Sequence, residues 1–116
     1  MRLIRFPILV MLLAAPAVAQ DKPLTVITRV LPPFVIEEAG SHTGFSIELW
    51  KAIAAELGRG SAFIPKANVK ELLAAVESGE GELGIAAISI TSERVQKFDF
   101  SQPMFESGLQ ILVPAE

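Results

Sequence analysis

Leu24–Thr28 is rich in β-branched residues and alternates along its length, which predicts a strand. Pro32-Pro33 stops it, because neither imide nitrogen can donate to a ladder. Residues 37–44 are polar, bounded by glycine, and read as a loop. From Ser46 the apolar spacing lengthens to three and four. Ile47, Trp50, Ile53, Ala54 and Leu57 then share one helical face, with Gly58 placed for a left-handed C-terminal cap. Residues 61–65 predict a short strand.

A second helix is marked more sharply. Asn68 is a good N-cap, and Glu71, three residues on, is placed to reach back as in a capping box. Val69, Leu72, Leu73 and Val76 form its apolar stripe, and Ser78-Gly79 closes it. Residues 83–90 are almost continuously apolar, as expected for a strand covered on both faces. Residues 91–95 predict one capped helical turn, and residues 98–100 and 108–113 further extended pieces. The β, α, β, α, β alternation gives an α/β class with a mainly parallel sheet and flanking helices. No internal repeat or low-complexity segment interrupts it.

The N-terminus adds an export signal. Arg2 and Arg5 precede an apolar stretch over residues 6–15, and Ala17-Val18-Ala19 is a small-residue cleavage site. The apolar run is about half of what a spanning helix needs, and Pro7 and Pro16 oppose one long helix. Residues 1–19 therefore read as a cleavable signal peptide and residues 20–116 as one small domain, soluble after cleavage, with no direct membrane insertion. There is no cysteine, so disulfides, thiolate chemistry and a lipid-modified cysteine anchor are absent, and zinc lacks its usual ligands. The chain carries 10 Lys+Arg against 13 Asp+Glu; losing Arg2 and Arg5 deepens the negative balance, which disfavours nucleic acid and anionic lipid.

Three features carry less than they suggest. Gly79-Glu80-Gly81-Glu82-Leu83-Gly84 fits the dinucleotide pattern G-x-G-x-x-G but closes a helix and precedes a strand, the reverse of the required order. His42, the one histidine, lies in the polar loop and reads as solvated. Glu71, Glu77, Glu80 and Glu82 read as a solvated acidic face, and Ser89 and Ser92 have no histidine at triad-like positions.

The informative stretch is residues 86–94, Ala-Ala-Ile-Ser-Ile-Thr-Ser-Glu-Arg. A buried strand ends by delivering the Ser89 hydroxyl and, five residues later, the Arg94 guanidinium on a short turn. Ligands of open α/β sheets bind beyond the carboxyl ends of strands, and arginine offers a fork matched to a carboxylate. An ordinary surface arginine satisfies the same spacing.

The order of motifs resembles the first lobe of type II periplasmic solute-binding proteins, family 3, and the ligand-binding core of ionotropic glutamate receptors. The matching pieces are residues 24–28, Pro33-Phe34-Val35, residues 44–50, residues 78–85, residues 89–94 and residues 98–104. The resemblance implies a periplasmic binding protein type II-like fold. It implies Arg94 as the grip on an amino acid's α-carboxylate, Ser89 as the assisting hydroxyl, Phe34 as an aromatic wall and Ala87 as the source of a backbone carbonyl for the ammonium. Receptor relatives commonly carry proline at the position of Ala87. No cofactor or metal is implied.

Family members close two lobes on the ligand, so a chain ending just after the strand that leads to the first crossing is expected to hold half a site, truncated before the second lobe. The function expected is periplasmic binding of an amino acid or similar carboxylate, as part of the substrate-binding component of an ABC transporter whose partner is a membrane permease. The alternatives are a ligand-binding segment of a bacterial glutamate-receptor-like channel, suggested by Trp50 in the residues 44–50 motif and by a chain end near where the pore segment begins in such channels, and a dehydratase-type or murein-cleaving enzyme on the same fold. Without a visible general acid or base, a non-enzyme is expected.

Overall fold

The computed structural model describes residues 22–115. The expected signal peptide, residues 1–19, lies outside the described residues.

Strand β1 (Leu24–Thr28) is the middle of a three-stranded parallel sheet, ordered β4-β1-β5. It pairs along its whole length with β4 (Ser61–Pro65), from Leu24↔Ser61 to Thr28↔Pro65, and more briefly with β5 (Leu83–Gly84) at Val26↔Leu83 and Ile27↔Gly84. Successive strand residues face opposite sides of a sheet, and β1 meets a helix on each. Val26 packs with Trp50 and Ala54 of helix α1 (Phe45–Glu56). Ile27 packs with Leu72 and Ala75 of helix α2 (Val69–Glu77), together with Ile47, Val35 and Ala86. Val26, Ile27 and Thr28 are fully buried, as the central position demands.

Both helices end as their sequences require. Asn68 Oδ1 accepts the Glu71 N–H at 2.9 Å. Glu71 reaches back to the Ala67 N–H at 3.4 Å and to the Asn68 side-chain amide at 2.9 Å, a variant of the expected capping box shifted by one residue. Gly58 and Gly79 follow α1 and α2 with φ of +64° and +78°, the left-handed conformation that terminates a helix. The Trp50 indole N–H donates to Ser61 Oγ at 2.8 Å and ties α1 to β4, so this residue is a core anchor.

Several expectations fail, each for a physical reason. Most of residues 37–44, expected to be loop, lies in the antiparallel hairpin β2 (Ile36–Glu38) and β3 (Ser41–Thr43). Its two-residue turn is Ala39-Gly40 with φ of +48° and +78°; positive φ at both positions matches a type I′ turn, without the usual asparagine or aspartate cue. His42 accordingly lies on a strand, half-buried and 6.0 Å from the Phe63 ring, rather than solvated. The strand expected over residues 83–90 is only Leu83–Gly84. Beyond the Ile85 N–H bond to the Ile27 carbonyl, β1 offers no further partner, and the chain turns tightly as the Ile88 N–H bonds the Ala86 carbonyl at 3.0 Å.

The extended pieces expected at residues 98–100 and 108–113 form no strand. Leu109, Ile111 and Leu112 are almost entirely exposed, and strand propensity without a ladder does not make a strand. The helical turn expected at residues 91–95 forms slightly later, as a 3₁₀ turn at Arg94–Gln96. On α1, Ile53 and Leu57 leave the expected buried face and are exposed.

The four glutamates are exposed as expected, but three of them also have partners. Glu80 pairs with Lys66, Glu71 caps α2, and Glu82 accepts the Thr25 N–H at 2.6 Å. The turn that mimicked a nucleotide fingerprint joins α2 to β5, as its context required.

Candidate functional site

Residues 85–94 leave the sheet from the carboxyl end of β5, held at their root. Thr28 Oγ1 donates to the Ile85 carbonyl at 2.6 Å, and Ala86 is buried in the core. From this anchored base the chain turns through Ala87, whose carbonyl takes no hydrogen bond among the described residues. Ser89 follows, exposed to solvent. Thr91 then caps the 3₁₀ turn: its Oγ1 accepts the Arg94 N–H at 3.3 Å and its carbonyl accepts the Val95 N–H at 3.0 Å.

Arg94 folds back along this loop. Its Nη1 donates to the Ser89 carbonyl at 2.9 Å, and the side chain is half-buried. A guanidinium has five N–H donors, so one bond to a carbonyl fixes the group's direction and leaves donors for an incoming carboxylate. The sequence placed a hydroxyl and a guanidinium five residues apart; the structure adds that the backbone of one holds the other.

Phe34 reaches the same region from the segment that follows β1, packed with Ile88 against one core cluster. Its main chain is pinned by the start of α1, where the Phe45 N–H bonds the Pro33 carbonyl at 3.2 Å and the Ser46 N–H bonds the Phe34 carbonyl at 2.9 Å. This close approach needs Gly44: a Cβ there would lie 2.7 Å from the Phe34 carbonyl oxygen, and its φ is +103°. Around the Phe34 ring stand Phe45 at 6.0 Å and Phe105 at 5.3 Å between centroids, both edge-on. Neither phenylalanine was singled out from the sequence. The cue available was scarcity, since the chain has 7 Phe, 1 Trp and no Tyr.

Phe34, Ala87, Ser89 and Phe105 line one open cavity of about 1260 Å³. That exceeds the several hundred Å³ of an ordinary small-molecule pocket, as a surface with one wall would. Arg94 is not in the lining; it stands behind Ser89, joined through that residue's carbonyl. The structure thus gathers three of the four expected ligand residues and places the fourth one hydrogen bond away. The cavity also takes in the carboxylates of Glu82, Asp99 and Glu106. The Thr25 N–H bonded to Glu82 holds its carboxyl below the ordinary glutamate range.

Among the described residues no cluster of three or more His, Cys, Asp or Glu is grouped to hold a metal ion, and no helix is long and apolar enough to cross a membrane.

Comparison with known proteins bears on this arrangement. Residues 24–116 match the family described as bacterial extracellular solute-binding proteins, family 3. The chain is 41% identical over 79 residues to the amino-acid-binding protein AabA of Dichelobacter nodosus, covering 66% of this chain and 30% of that protein. It is 34% identical over 91 residues to the membrane-bound lytic murein transglycosylase F of Maricaulis maris, covering 78% and 20%. Among solved structures, an ancestral arginine-binding protein bound to arginine superposes with a TM-score of 0.69 at 38% identity, covering 75% of this chain and 39% of that one. The chain therefore spans well under half the length of these relatives. On the match over nearly all described residues, and with an α/β fold shared with the binding proteins, the chain belongs to the bacterial extracellular solute-binding proteins of family 3.

Proposed function

We propose that this chain supplies one wall of a periplasmic amino-acid site, in which Arg94 takes the α-carboxylate, Ser89 assists, the Ala87 carbonyl receives the ammonium and Phe34 covers the side chain. The observation that carries the reading is the 2.9 Å bond from Arg94 Nη1 to the Ser89 carbonyl, which pre-orients a permanently charged fork beside the open cavity. The family match and the amino-acid-binding relatives support the ligand class. Within that reading the whole protein is a substrate-binding component that hands its ligand to the membrane permease of an ABC transporter.

Likeness to a transglycosylase raises an enzymatic reading. A general acid needs a carboxyl whose pKa is raised toward the working pH. Glu82, which lines the cavity, is held the opposite way by the Thr25 N–H. Binding remains the better reading. Trp50, one of the two features that suggested the channel reading, has a structural task in tying α1 to β4.

The test is titration of ¹⁵N-labelled residues 20–116 with L-arginine and L-glutamate, followed by amide shifts. A charged hydrogen bond contributes about 1.5–3 kcal/mol net, while association costs at least ~4 kcal/mol. A single wall should therefore bind at millimolar strength or weaker, where 1 mM corresponds to about 4.1 kcal/mol. Shifts should concentrate at residues 87–94, and Arg94→Lys, which loses one arm of the fork, should cut their initial slope at least ~10-fold. Micromolar binding would contradict the one-wall geometry. An Arg94→Lys titration matching wild type would remove Arg94 from the site.

A further inference from the structure

We infer that Phe105 is a positioning residue that fixes the plane of the Phe34 ring and thereby the side-chain preference of the site. This rests on the amino-acid reading above.

Three rings meet in one cluster, two of which, Phe34 and Phe105, line the cavity. Phe34 and Phe105 are 5.3 Å apart at 77°, Phe34 and Phe45 6.0 Å at 85°, and Phe45 and Phe105 6.3 Å at 67°. All three pairs are edge-to-face, the arrangement favoured by the ring quadrupoles. The main chain at Phe34 is held by the α1 N-terminus, but that leaves the orientation of its ring to its neighbours. Phe45 belongs to α1 and is fixed with it. Phe105 arrives from a segment without regular structure and completes the cluster.

Burial does not explain Phe105. Its side chain is 59% exposed, so as a core residue it would contribute little, and it is not among the residues of either core cluster. It does line the cavity together with Phe34, Ala87 and Ser89. A large ring left mostly in water, touching the proposed ligand wall and lining the same cavity, acts on that wall. With two rings set nearly perpendicular to it, the Phe34 ring is confined to one orientation where it lines the cavity. A flat or cationic ligand side chain, such as a guanidinium, gains from an aromatic face, whereas a methyl group does not.

The experiment compares residues 20–116 with their Phe105→Leu and Phe105→Tyr variants. In the free protein, Phe105→Leu should move the Phe34 ring-proton signals and weaken the Phe34–Phe45 ring contacts seen by NOE, while the methyl signals of Ile27 and Leu72 stay in place. Phe105→Tyr should preserve the wild-type pattern. In titrations with L-arginine and L-alanine, which share carboxylate and ammonium, Phe105→Leu should weaken the L-arginine response about two- to tenfold, the equivalent of one lost aromatic pair, and leave the L-alanine response unchanged. Equal losses for both amino acids, or Phe34 signals identical to wild type, would overturn the inference. If neither amino acid shifts Ser89 or Arg94 in any variant while Phe105→Leu still moves the Phe34 ring, the amino-acid reading falls and the positioning role stands.

Discussion

Replacing Gly81 by alanine tests how the loop bearing the site is mounted on the sheet. A Cβ at Gly81 would lie 2.6 Å from Ile27 Cγ1, 2.7 Å from Ile27 Cδ1 and 3.0 Å from the Thr25 carbonyl oxygen. Carbon atoms reach their best separation at about 3.5–4.0 Å, so roughly 1 Å of movement is required. Ile27 cannot readily give it, being fully buried between α2 and Val35 on the central strand. The backbone at Thr25 cannot give it either, because it is bonded to Glu82 through both its N–H and its carbonyl. Overpacking of this kind costs about 1–3 kcal/mol, and a chain of this size loses about 4–8 °C in Tm per kcal/mol. Urea and thermal unfolding of residues 20–116 should show that loss. Ile27→Val removes the Cδ1 contact, so Gly81→Ala should cost less in that background, with a coupling of at least ~0.5 kcal/mol. Wild-type stability in Gly81→Ala, or strict additivity with Ile27→Val, would refute the close approach of this turn to β1.

Two further perturbations follow from the same architecture. Asn68→Ala removes the acceptor for the Glu71 N–H and the partner of the Glu71 carboxylate, and should cost ~1 kcal/mol in urea unfolding; an unchanged midpoint would show the cap to be idle. Glu82→Gln tests the bond to the Thr25 N–H. Because that bond lowers the folded-state pKa of Glu82, its stabilisation is present above the unfolded glutamate value of about 4.3 and is lost as pH falls through the lower folded value. The gap in unfolding midpoint between wild type and Glu82→Gln should therefore be open at pH 7 and narrow below about pH 4; a gap independent of pH would place the effect elsewhere.

Much of this fold is written locally. The three-and-four spacing of α2, its Asn68 cap and its closing Gly79 are cues within one short window, and the helix appears where they point. The sheet core is equally legible, because Leu24–Thr28 alternates and its partners lie at the ends of two helices. What was not legible depends on partners distant in sequence. Residues 83–90 read as a full strand because apolar composition reports burial, not pairing, and the ladder stops when β1 runs out at Thr28. The hairpin at Ile36–Thr43 was hidden because Ala39 occupies a turn position where asparagine would have announced it.

The candidate site divides along the same line, and this explains which of its parts could be read in advance. Ser89 and Arg94 are five residues apart on one loop, so a sequence motif contains both, and the structure adds only the bond that joins them. The aromatic side is assembled from three separate segments: Phe34 before the hairpin, Phe45 at the head of α1 and Phe105 seventy-one residues beyond Phe34. No motif spans that distance. The link that makes it a wall is Gly44, where the absence of a side chain lets α1 hold the main chain at Phe34. On the proposed reading, the carboxylate grip would come from local sequence and any discrimination among side chains from tertiary packing. On this division, substitutions at residues 87–94 should weaken all amino acids alike, and substitutions in the ring cluster should change the order in which they are preferred.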